Sequence, residues 1–180
     1  LSDRINDANC NILITADGGF RGEKITPLKD ISDEAMQTTP SIEKCIVLER
    51  TKKTISMKNR RDVWWHDEML KVTSNCPIEI MDAEAPLFIL YTSGSTGKPK
   101  GIQHSTAGYM IYTEYSFRNV FQYNEGDIYW CTADIGWITG HSYIIYGPLL
   151  AGATTMMFEG VPSYPDAGRF WQIVEENKVN

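Results

Sequence analysis

Residues 87–101 read Leu87-Phe-Ile-Leu-Tyr91 and then Thr92-Ser93-Gly94-Ser95-Thr96-Gly97-Lys98-Pro99-Lys100-Gly101. The first five residues form a continuous apolar run, which is typical of a strand buried on both faces of a parallel sheet. The three glycines permit positive φ, so successive backbone N–H groups can turn inward and form an anion nest. With Ser105 as the cap of a following helix, the pattern predicts a strand, a glycine-rich turn and a helix. Such an arrangement holds phosphate groups.

Two common nucleotide motifs do not fit this loop. A Walker A loop has four residues between its glycines and ends in Gly-Lys-[Ser/Thr], whereas Gly94 and Gly97 enclose two residues and Pro99 follows Lys98. The loop also lacks the G-x-G-x-x-G pattern of dinucleotide-binding folds. A flexible Gly/Ser linker would not directly follow a buried strand or contain Lys-Pro-Lys. The loop therefore predicts a phosphate site of another kind.

Short apolar runs alternate with helical patterns along the rest of the chain. This alternation predicts an α/β fold, a layered and mostly parallel sheet flanked by helices. The predicted strands are Ile12–Thr15, Cys45–Leu48, Leu87–Tyr91, Ile128–Ala133 and Ala153–Phe158. The predicted helices are Ser32–Thr38, Arg61–Val72, Ser105–Phe121, His141–Leu150 and Asp166–Asn177, with Pro165 at the start of the last. The basic segment 51–61 has no period and is predicted to be a solvated loop rather than a ligand site.

Charge is distributed unevenly along the 180 residues. The net charge is −6, which argues against a nucleic-acid binder. Residues 1–100 contain 14 basic and 15 acidic side chains, whereas residues 101–180 contain 3 basic and 8 acidic ones. We therefore expect the side chains that bind an anionic ligand to come mainly from the first part.

The cysteines and histidines are widely scattered. Cys10, Cys45, Cys76 and Cys131 form no C-x-x-C pair, so a zinc site is not expected. Reduced and mostly buried thiols in a cytoplasmic protein are the favoured interpretation. The sequence has no signal segment and no run of 18 apolar residues, so no membrane partner is expected.

The two ends of the chain have the pattern of interrupted elements. Apolar residues at positions 1, 5 and 8 have helical spacing without a preceding start, and the last helical pattern stops where a strand would be expected. We expect the chain to be part of a longer enzyme. Missing neighbours would leave sheet edges and apolar faces uncovered, so self-association of the chain is a further expectation.

The loop at 92–101 resembles the signature loop of the adenylate-forming superfamily. Within that superfamily the whole chain resembles the acetate–CoA ligases. The stretches that carry this resemblance are Ile14-Thr-Ala-Asp17, Asp62-Val-Trp-Trp65, Asp127-Ile-Tyr-Trp-Cys-Thr-Ala-Asp134, Gly136-Trp-Ile-Thr-Gly-His-Ser-Tyr143 and Phe158-Glu-Gly-Val-Pro162. The resemblance implies that residues 1–180 are part of the N-terminal AMP-binding domain, without the C-terminal lid domain.

The same resemblance implies ATP-dependent activation of acetate to acetyl-adenylate, followed by transfer to CoA. The first step brings a carboxylate to a polyanion, so positioning and charge neutralisation must drive it. ATP, CoA and Mg²⁺ accompanying ATP are the implied cofactors. Residues at the phosphate site would be Thr92, Ser93, Gly94, Ser95, Thr96, Gly97 and Lys98.

Other implied site residues lie outside the loop. Trp137 and Ile138 would line the acyl pocket, where a wide indole leaves room for two carbons, and Thr139 would contact the acyl or CoA site. Arg21, Lys24 and Ser163 fall where the family binds CoA. Lys24 and Ser163 differ from the residues that some members have there, which are Arg and Asn. His141 could donate to a substrate or be structural.

No catalytic residue or metal ligand is assigned within the chain. The family's catalytic lysine and its adenine and ribose motifs lie beyond residue 180 in this resemblance, so the isolated chain is expected to be inactive. Two alternatives remain open at this point. One is a ligase for propionate or another short acid, and the other is a non-catalytic nucleotide-binding module.

Overall fold

The structure is a computed structural model and describes residues 1–92, 97, 99–161 and 163–180. The strands are β1 (Ile12–Ala16), β2 (Gly19–Arg21), β3 (Lys24–Thr26), β4 (Lys44–Leu48), β5 (Asp62–Trp64), β6 (Pro86–Thr92), β7 (Lys100–Ser105), β8 (Ile128–Trp130) and β9 (Thr154–Met156). The helices are α1 (Ser2–Ala8), α2 (Leu28–Met36), α3 (Trp65–Met69), α4 (Thr106–Val120), α5 (Ile138–Gly140), α6 (Gly147–Leu150) and α7 (Arg169–Asn177), and a π-helical segment His141–Tyr146 joins α5 to α6. The chain forms two compact units, one of residues 1–79 and 91–101 and the other of residues 80–90 and 102–180.

The first unit is built on a parallel sheet in the order β1-β4-β5. Its core is a cluster of Met36, Cys45 and Val47, against which five half-buried apolar side chains pack: Leu13, Ile42, Ile55, Met57 and Trp64. Parallel pairing and flanking helices confirm the predicted α/β class. The apolar runs are not buried on both faces, however, because α2 packs on one face of β1 while Ile12 and Ile14 remain exposed.

A buried charge network ties α2 to β5. The ammonium of Lys29, which is fully buried, lies 2.9 Å from a carboxylate oxygen of Asp62 and 2.6 Å from one of Asp33. It also donates to the carbonyl oxygen of Ser56 at 3.0 Å. Arg61 pairs with both carboxylates at 2.5 Å. Burial alone would lower the pKa of Lys29, but the hydrogen bonds and charges of Asp33 and Asp62 outweigh it and raise the pKa.

This network explains why the predicted helix Arg61–Val72 was wrong at its start. Asp62–Trp64 pair with β4 in parallel register, and the helix is confined to Trp65–Met69. The carboxylate of Asp62 is fully buried between Lys29 and Arg61, and Trp64 packs on the core. Tertiary contacts therefore override the helical pattern.

The basic segment 51–61 is structural as well as charged. Ile55 and Met57 pack against the core, and the backbone N–H of Lys58 donates to Asp62 at 2.8 Å. The sequence prediction of a loop is confirmed, since no helix or strand falls between residues 51 and 61. Its description as merely solvated is wrong, because apolar side chains and a buried ion pair anchor it.

The second unit packs α4 against α6 and the π-helical segment, beside a parallel pair of β8 and β9. Gly147 allows this close approach, because a Cβ there would lie 2.9 Å from the carbonyl oxygens of Ser142 and Thr113. The predicted helices over 105–121 and 141–150 are confirmed. The last helix begins at Arg169 rather than Asp166, so Pro165 lies before it, and β8 and β9 are shorter than predicted.

The cysteines differ from the expectation. All four are free thiols, but Cys45 alone is buried, Cys10 and Cys131 are half-buried and Cys76 is exposed. Burial, followed by the charge of Asp62, raises the pKa of the Cys45 thiol to about 11. In the described ranges, no helix combines the length and apolar character that crossing a membrane requires.

Substitution of Lys29 tests the buried network. We expect Lys29→Met to lower the free energy of unfolding by about 3–5 kcal/mol, because Asp62 would keep a buried charge without its ammonium partner. Urea unfolding of the chain at neutral pH measures this change. Lys53→Met is the matched control, since that side chain is exposed, and it should change the value by less than about 0.5 kcal/mol. Equal stability of the two variants would contradict the assignment.

Candidate functional site

The predicted anion-binding residues Arg21 and Lys24 lie on a β-hairpin that was not predicted from the sequence. Strands β2 and β3 pair in antiparallel register, with Arg21 directly opposite Lys24 and Phe20 opposite Ile25. Gly22, at φ 61°, occupies the first position of the two-residue turn, where a type II′ turn favours Gly. The Gly22-Glu23 pair between Phe20-Arg21 and Lys24-Ile25 was the sequence signal for this hairpin.

Two like charges directly opposite each other destabilise an antiparallel pair. Arg21 and Lys24 are both exposed and share one face of the hairpin because paired residues point the same way. A phosphorylated ligand would convert their repulsion into attraction. Arg21 can form a bidentate fork with phosphate, whereas Lys24 offers a point charge.

Asp17, immediately after β1, holds the base of this hairpin. Its carboxylate is buried and accepts hydrogen bonds from the backbone N–H groups of Gly18 (2.7 Å), Arg50 (2.8 Å) and Thr51 (2.9 Å) and from the Thr51 hydroxyl (3.0 Å). A further N–H, that of Lys53, lies 3.2 Å away. The Asp17 side chain therefore joins the end of β1, the start of the hairpin and the basic loop.

The same donors set the acidity of Asp17. Burial alone would raise the pKa of its carboxyl, but the N–H groups of Thr51 and Arg50, with the Thr51 hydroxyl and the Gly18 N–H, lower it from an ordinary 3.8 to about 2. The sequence places Asp17 in a family motif but indicates no role for it. A lone aspartate at a strand end gives no signal of the partners it meets 33 to 36 residues away.

Of the glycine-rich loop, the structure describes Thr92, Gly97 and residues 99–101. Thr92 ends β6, and Gly97 has φ 80°, a conformation that L side chains rarely adopt. Gly97 is exposed, and no described residue lies within 4 Å of a Cβ placed there, so its positive φ is the feature that favours Gly. The other predicted phosphate residues, Ser93, Gly94, Ser95, Thr96 and Lys98, lie outside the described residues.

The segment after the loop differs from the prediction. Strand β7 lies between the loop and helix α4 and pairs with β6, so the helix does not begin at the loop. Ser105 is the residue before α4, but its hydroxyl makes no capping hydrogen bond to the described residues of the helix. A strand therefore separates the loop from the start of α4, and the phosphate site at the loop stays a prediction. Hydroxyls, amides and lysine charge remain as the groups that the loop offers.

The predicted acyl-pocket residues begin helix α5. A turn precedes them, in which the N–H of Gly136 donates to the Asp134 carboxylate at 2.8 Å and that of Trp137 donates to the Asp134 carbonyl oxygen at 3.1 Å. The indole of Trp137 is 71% exposed, so Trp137 does not belong to the core of the described residues. Ile138 and Thr139 are exposed beside it. The three side chains are therefore accessible to a small ligand.

Gly140 explains how the chain reaches this geometry. A Cβ at Gly140 would lie 2.3 Å from the carbonyl oxygen of Asp134 and 2.6 Å from the Cα of Ile135. Backbone atoms cannot yield that much, so α5 packs against the 134–135 turn only if residue 140 is Gly. The close approach places Trp137 at the bend between the turn and the helix.

His141 makes a local contact with the same bend. Its Nδ1 lies 3.0 Å from the carbonyl oxygen of Trp137. Because a carbonyl oxygen only accepts, this hydrogen bond requires the proton on Nδ1 and leaves Nε2 of the neutral ring as an acceptor. The ring also lies 5.3 Å from that of Phe88. These contacts give His141 a structural role, and donation to a substrate stays an untested alternative.

Ser163 is exposed in the turn that precedes α7. It belongs to the second unit, together with Trp137 and Thr139, whereas Arg21, Lys24, Thr92 and Gly97 belong to the first. In the described ranges, no group of three or more His, Cys, Asp or Glu side chains is arranged to hold a metal ion.

Known proteins match the chain along its whole length. The sequence pattern of the family described as AMP-binding enzyme covers residues 1–180. Acetyl-coenzyme A synthetase of Desulfatibacillum aliphaticivorans is 59% identical over all 180 residues, that of Syntrophobacter fumaroxidans is 56% identical, and acetyl-coenzyme A synthetase 2 of Pseudomonas aeruginosa is 55% identical. The chain spans 28% of the length of each of these relatives.

The two low-pKa carboxyls predict how stability depends on pH. Burial would raise the pKa of Asp62, but Arg61, Lys58 and Lys29 lower it to about 2, and the donors around Asp17 lower its pKa to a similar value. The unfolded chain takes up these protons first as pH falls, so the stabilisation is complete above about pH 5 and is lost between about pH 4 and pH 2. Each carboxyl should contribute about 2 kcal/mol at neutral pH, of which about 1 kcal/mol is lost by pH 3.

Urea unfolding at pH 6, 4 and 3 measures this loss. The free energy of unfolding should fall by about 1 kcal/mol less between pH 6 and pH 3 in Asp17→Asn than in the unsubstituted chain, because an Asn side chain does not titrate. Asp30→Asn is the control because the Asp30 side chain is exposed, and this variant should lose as much free energy of unfolding between pH 6 and pH 3 as the unsubstituted chain. An unaltered pH dependence in Asp17→Asn would contradict the assignment.

Proposed function

The chain belongs to the AMP-binding enzyme family, and from this membership we propose that the protein activates acetate with ATP and transfers the acetyl group to CoA. The products would be acetyl-CoA, AMP and pyrophosphate. The observation that carries the proposal is the 54–59% identity of the full chain to curated acetyl-coenzyme A synthetases. Because the chain spans 28% of those relatives, the proposal concerns a whole protein of their kind. We further propose that this protein acts in the cytoplasm.

We assign the first step to the loop at Thr92–Lys98. The acetate carboxylate attacks the α-phosphorus of ATP, the α–β phosphoanhydride bond breaks, and pyrophosphate leaves. The loop's hydroxyls, amides and lysine charge would hold the β- and γ-phosphates and neutralise the leaving group. Mg²⁺ would enter with ATP, and no residue of the chain is assigned to it.

We assign the choice of acid to Trp137, with Ile138 and Thr139 beside it. An exposed indole held at a fixed bend can form one wall of a small pocket and leave room for a two-carbon acid. Gly140 supports this role because it holds the bend against the 134–135 backbone. Each extra methylene that such a wall excludes changes kcat/KM by about 10- to 200-fold.

We assign CoA to the paired cations Arg21 and Lys24, with Thr139 and Ser163 as further contacts. The thiol of CoA then attacks the acyl carbon of acetyl-adenylate, and AMP leaves. CoA carries several phosphate groups, and a pair of like charges on one hairpin face suits such a ligand. The charge balance agrees with this, since 14 of the 17 basic side chains lie within residues 1–100.

A chimera tests the proposed activity. Residues 1–180 would replace the matching 180 residues of the Desulfatibacillum relative, and acetate-dependent exchange of labelled pyrophosphate into ATP would be measured. We expect exchange within about tenfold of the parent enzyme, and about 100-fold less when the chimera carries Lys98→Ala. The isolated chain should show none. A folded chimera without exchange, or one indifferent to Lys98→Ala, would sink the proposal.

A second substitution tests the acyl pocket. We expect Trp137→Ala in the chimera to raise kcat/KM for butyrate relative to acetate by about 100-fold, because removal of the indole opens the pocket. Trp171→Ala removes an exposed indole from α7 and is the control, which should leave the ratio unchanged. Chimera kinetics with acetate and propionate decide between the two acids. An unaltered ratio in Trp137→Ala would remove Trp137 from the pocket.

A further inference from the structure

The two faces of the β2–β3 hairpin differ in what they contact. On one face, the guanidinium of Arg50 lies over the ring of Phe20, with its Cζ 4.7 Å from the ring centroid. Ile25, which pairs with Phe20, lies on the same face, and its Cγ2 is 3.0 Å from where a Cβ of Gly18 would lie. Because successive strand residues alternate, Arg21 and Lys24 lie on the opposite face.

The face with Phe20 and Ile25 is only partly packed, since these residues remain 42% and 44% exposed, and one residue holds it in place. Arg50 and Thr51 lie 33 and 34 residues from Asp17 in sequence, yet their N–H groups donate to its carboxylate. The N–H of Asp17 itself donates to the carbonyl oxygen of Leu48 at 2.9 Å, so the carboxylate is fixed relative to β1 and β4. The position of the Arg50 guanidinium over Phe20 therefore depends on the Asp17 carboxylate.

The groups that donate to the Asp17 carboxylate carry no positive charge, so they orient the carboxylate and do not neutralise it. They are backbone N–H groups and one hydroxyl, which fix direction because the backbone cannot rotate away from the acceptor. A buried carboxylate is costly unless such donors satisfy it, and replacement by Asn turns one of the two acceptor oxygens into a donor, so some of these N–H groups lose their acceptor. The arrangement thus restricts the hairpin to one orientation.

We infer that Asp17 is a positioning residue, which holds the Gly19–Thr26 hairpin so that Arg21 and Lys24 together bind the 3′-phosphate end of CoA. The inference rests on the CoA-dependent function proposed above. Asp17 itself does not touch the ligand and acts through the turn at Gly18, the loop at Arg50 and the packed face of Phe20. It determines the discrimination between CoA and an analogue that lacks the 3′-phosphate.

Steady-state kinetics of the chimera with CoA and with 3′-dephospho-CoA test this inference. We expect Asp17→Asn to raise KM for CoA by about tenfold and KM for 3′-dephospho-CoA by less than about twofold, because misplaced cations lose the 3′-phosphate contact. Thr51→Val removes one hydroxyl donor but keeps nearly the same side-chain shape. This variant should raise KM for CoA by about threefold. Asp30→Asn, an exposed carboxylate on α2, is the matched control and should change neither constant.

A double substitution separates positioning from general damage. If Asp17 acts through Arg21, Asp17→Asn should add little to the KM change of Arg21→Gln, so the two effects should be strongly non-additive. Where Asp17→Asn does not fold, Thr51→Val and its combination with Arg21→Gln decide the question in the same way. In an active chimera, equal rises of KM for CoA and for 3′-dephospho-CoA would overturn the inference, and so would additive effects of Asp17→Asn and Arg21→Gln on KM. Neither result would overturn the proposed function. A wild-type chimera that forms acetyl-adenylate but no acetyl-CoA would overturn the proposed function and the inference with it.

Discussion

The basic loop 50–61 is held at both ends by buried carboxylates, and the first unit depends on this constraint. The Asp17 carboxylate accepts hydrogen bonds from backbone N–H groups at the start of the loop. The Asp62 carboxylate accepts one from the N–H of Lys58 near its end. Between these points the loop contributes Ile55 and Met57 to the core. A buried carboxylate requires donors, so each one fixes the backbone that provides them. The sheet, the core and the hairpin are consequently located by the same stretch of chain.

Local patterns predicted the elements whose form is decided locally. The apolar runs of β1, β4 and β6 and the long helix α4 appear where they were expected, since each follows from composition within a few residues. The errors lie where distant residues decide. Asp62–Trp64 became a strand because Lys29 and Arg61 enclose the carboxylate of Asp62, and β7 separates the glycine-rich loop from α4 by pairing with β6.

The candidate site divides in the same way. The phosphate loop could be proposed from the sequence because its ten consecutive residues carry their own signature, and Trp137 could be proposed from the family stretch around it. Both assignments stay predictions. The role of Asp17 could not be proposed in this way, because its partners are more than 30 residues away and are mostly backbone groups, which the side-chain sequence does not encode. The need for Gly140 could not be predicted either. It is the close contact with the backbone of Asp134 and Ile135 in the folded chain that excludes a methyl group at this position.

If the hairpin binds CoA as proposed above, binding and stability oppose each other within this one small element. Arg21 and Lys24 repel across a pair of strands only three residues long, and such short hairpins have little stability of their own. Packing of Phe20 under Arg50 and of Ile25 against Gly18 must therefore offset that repulsion before any ligand is present. The two cations can stay paired because the opposite face is apolar and anchored. A hairpin with charges on both faces would gain binding groups but lose the packing that orients them.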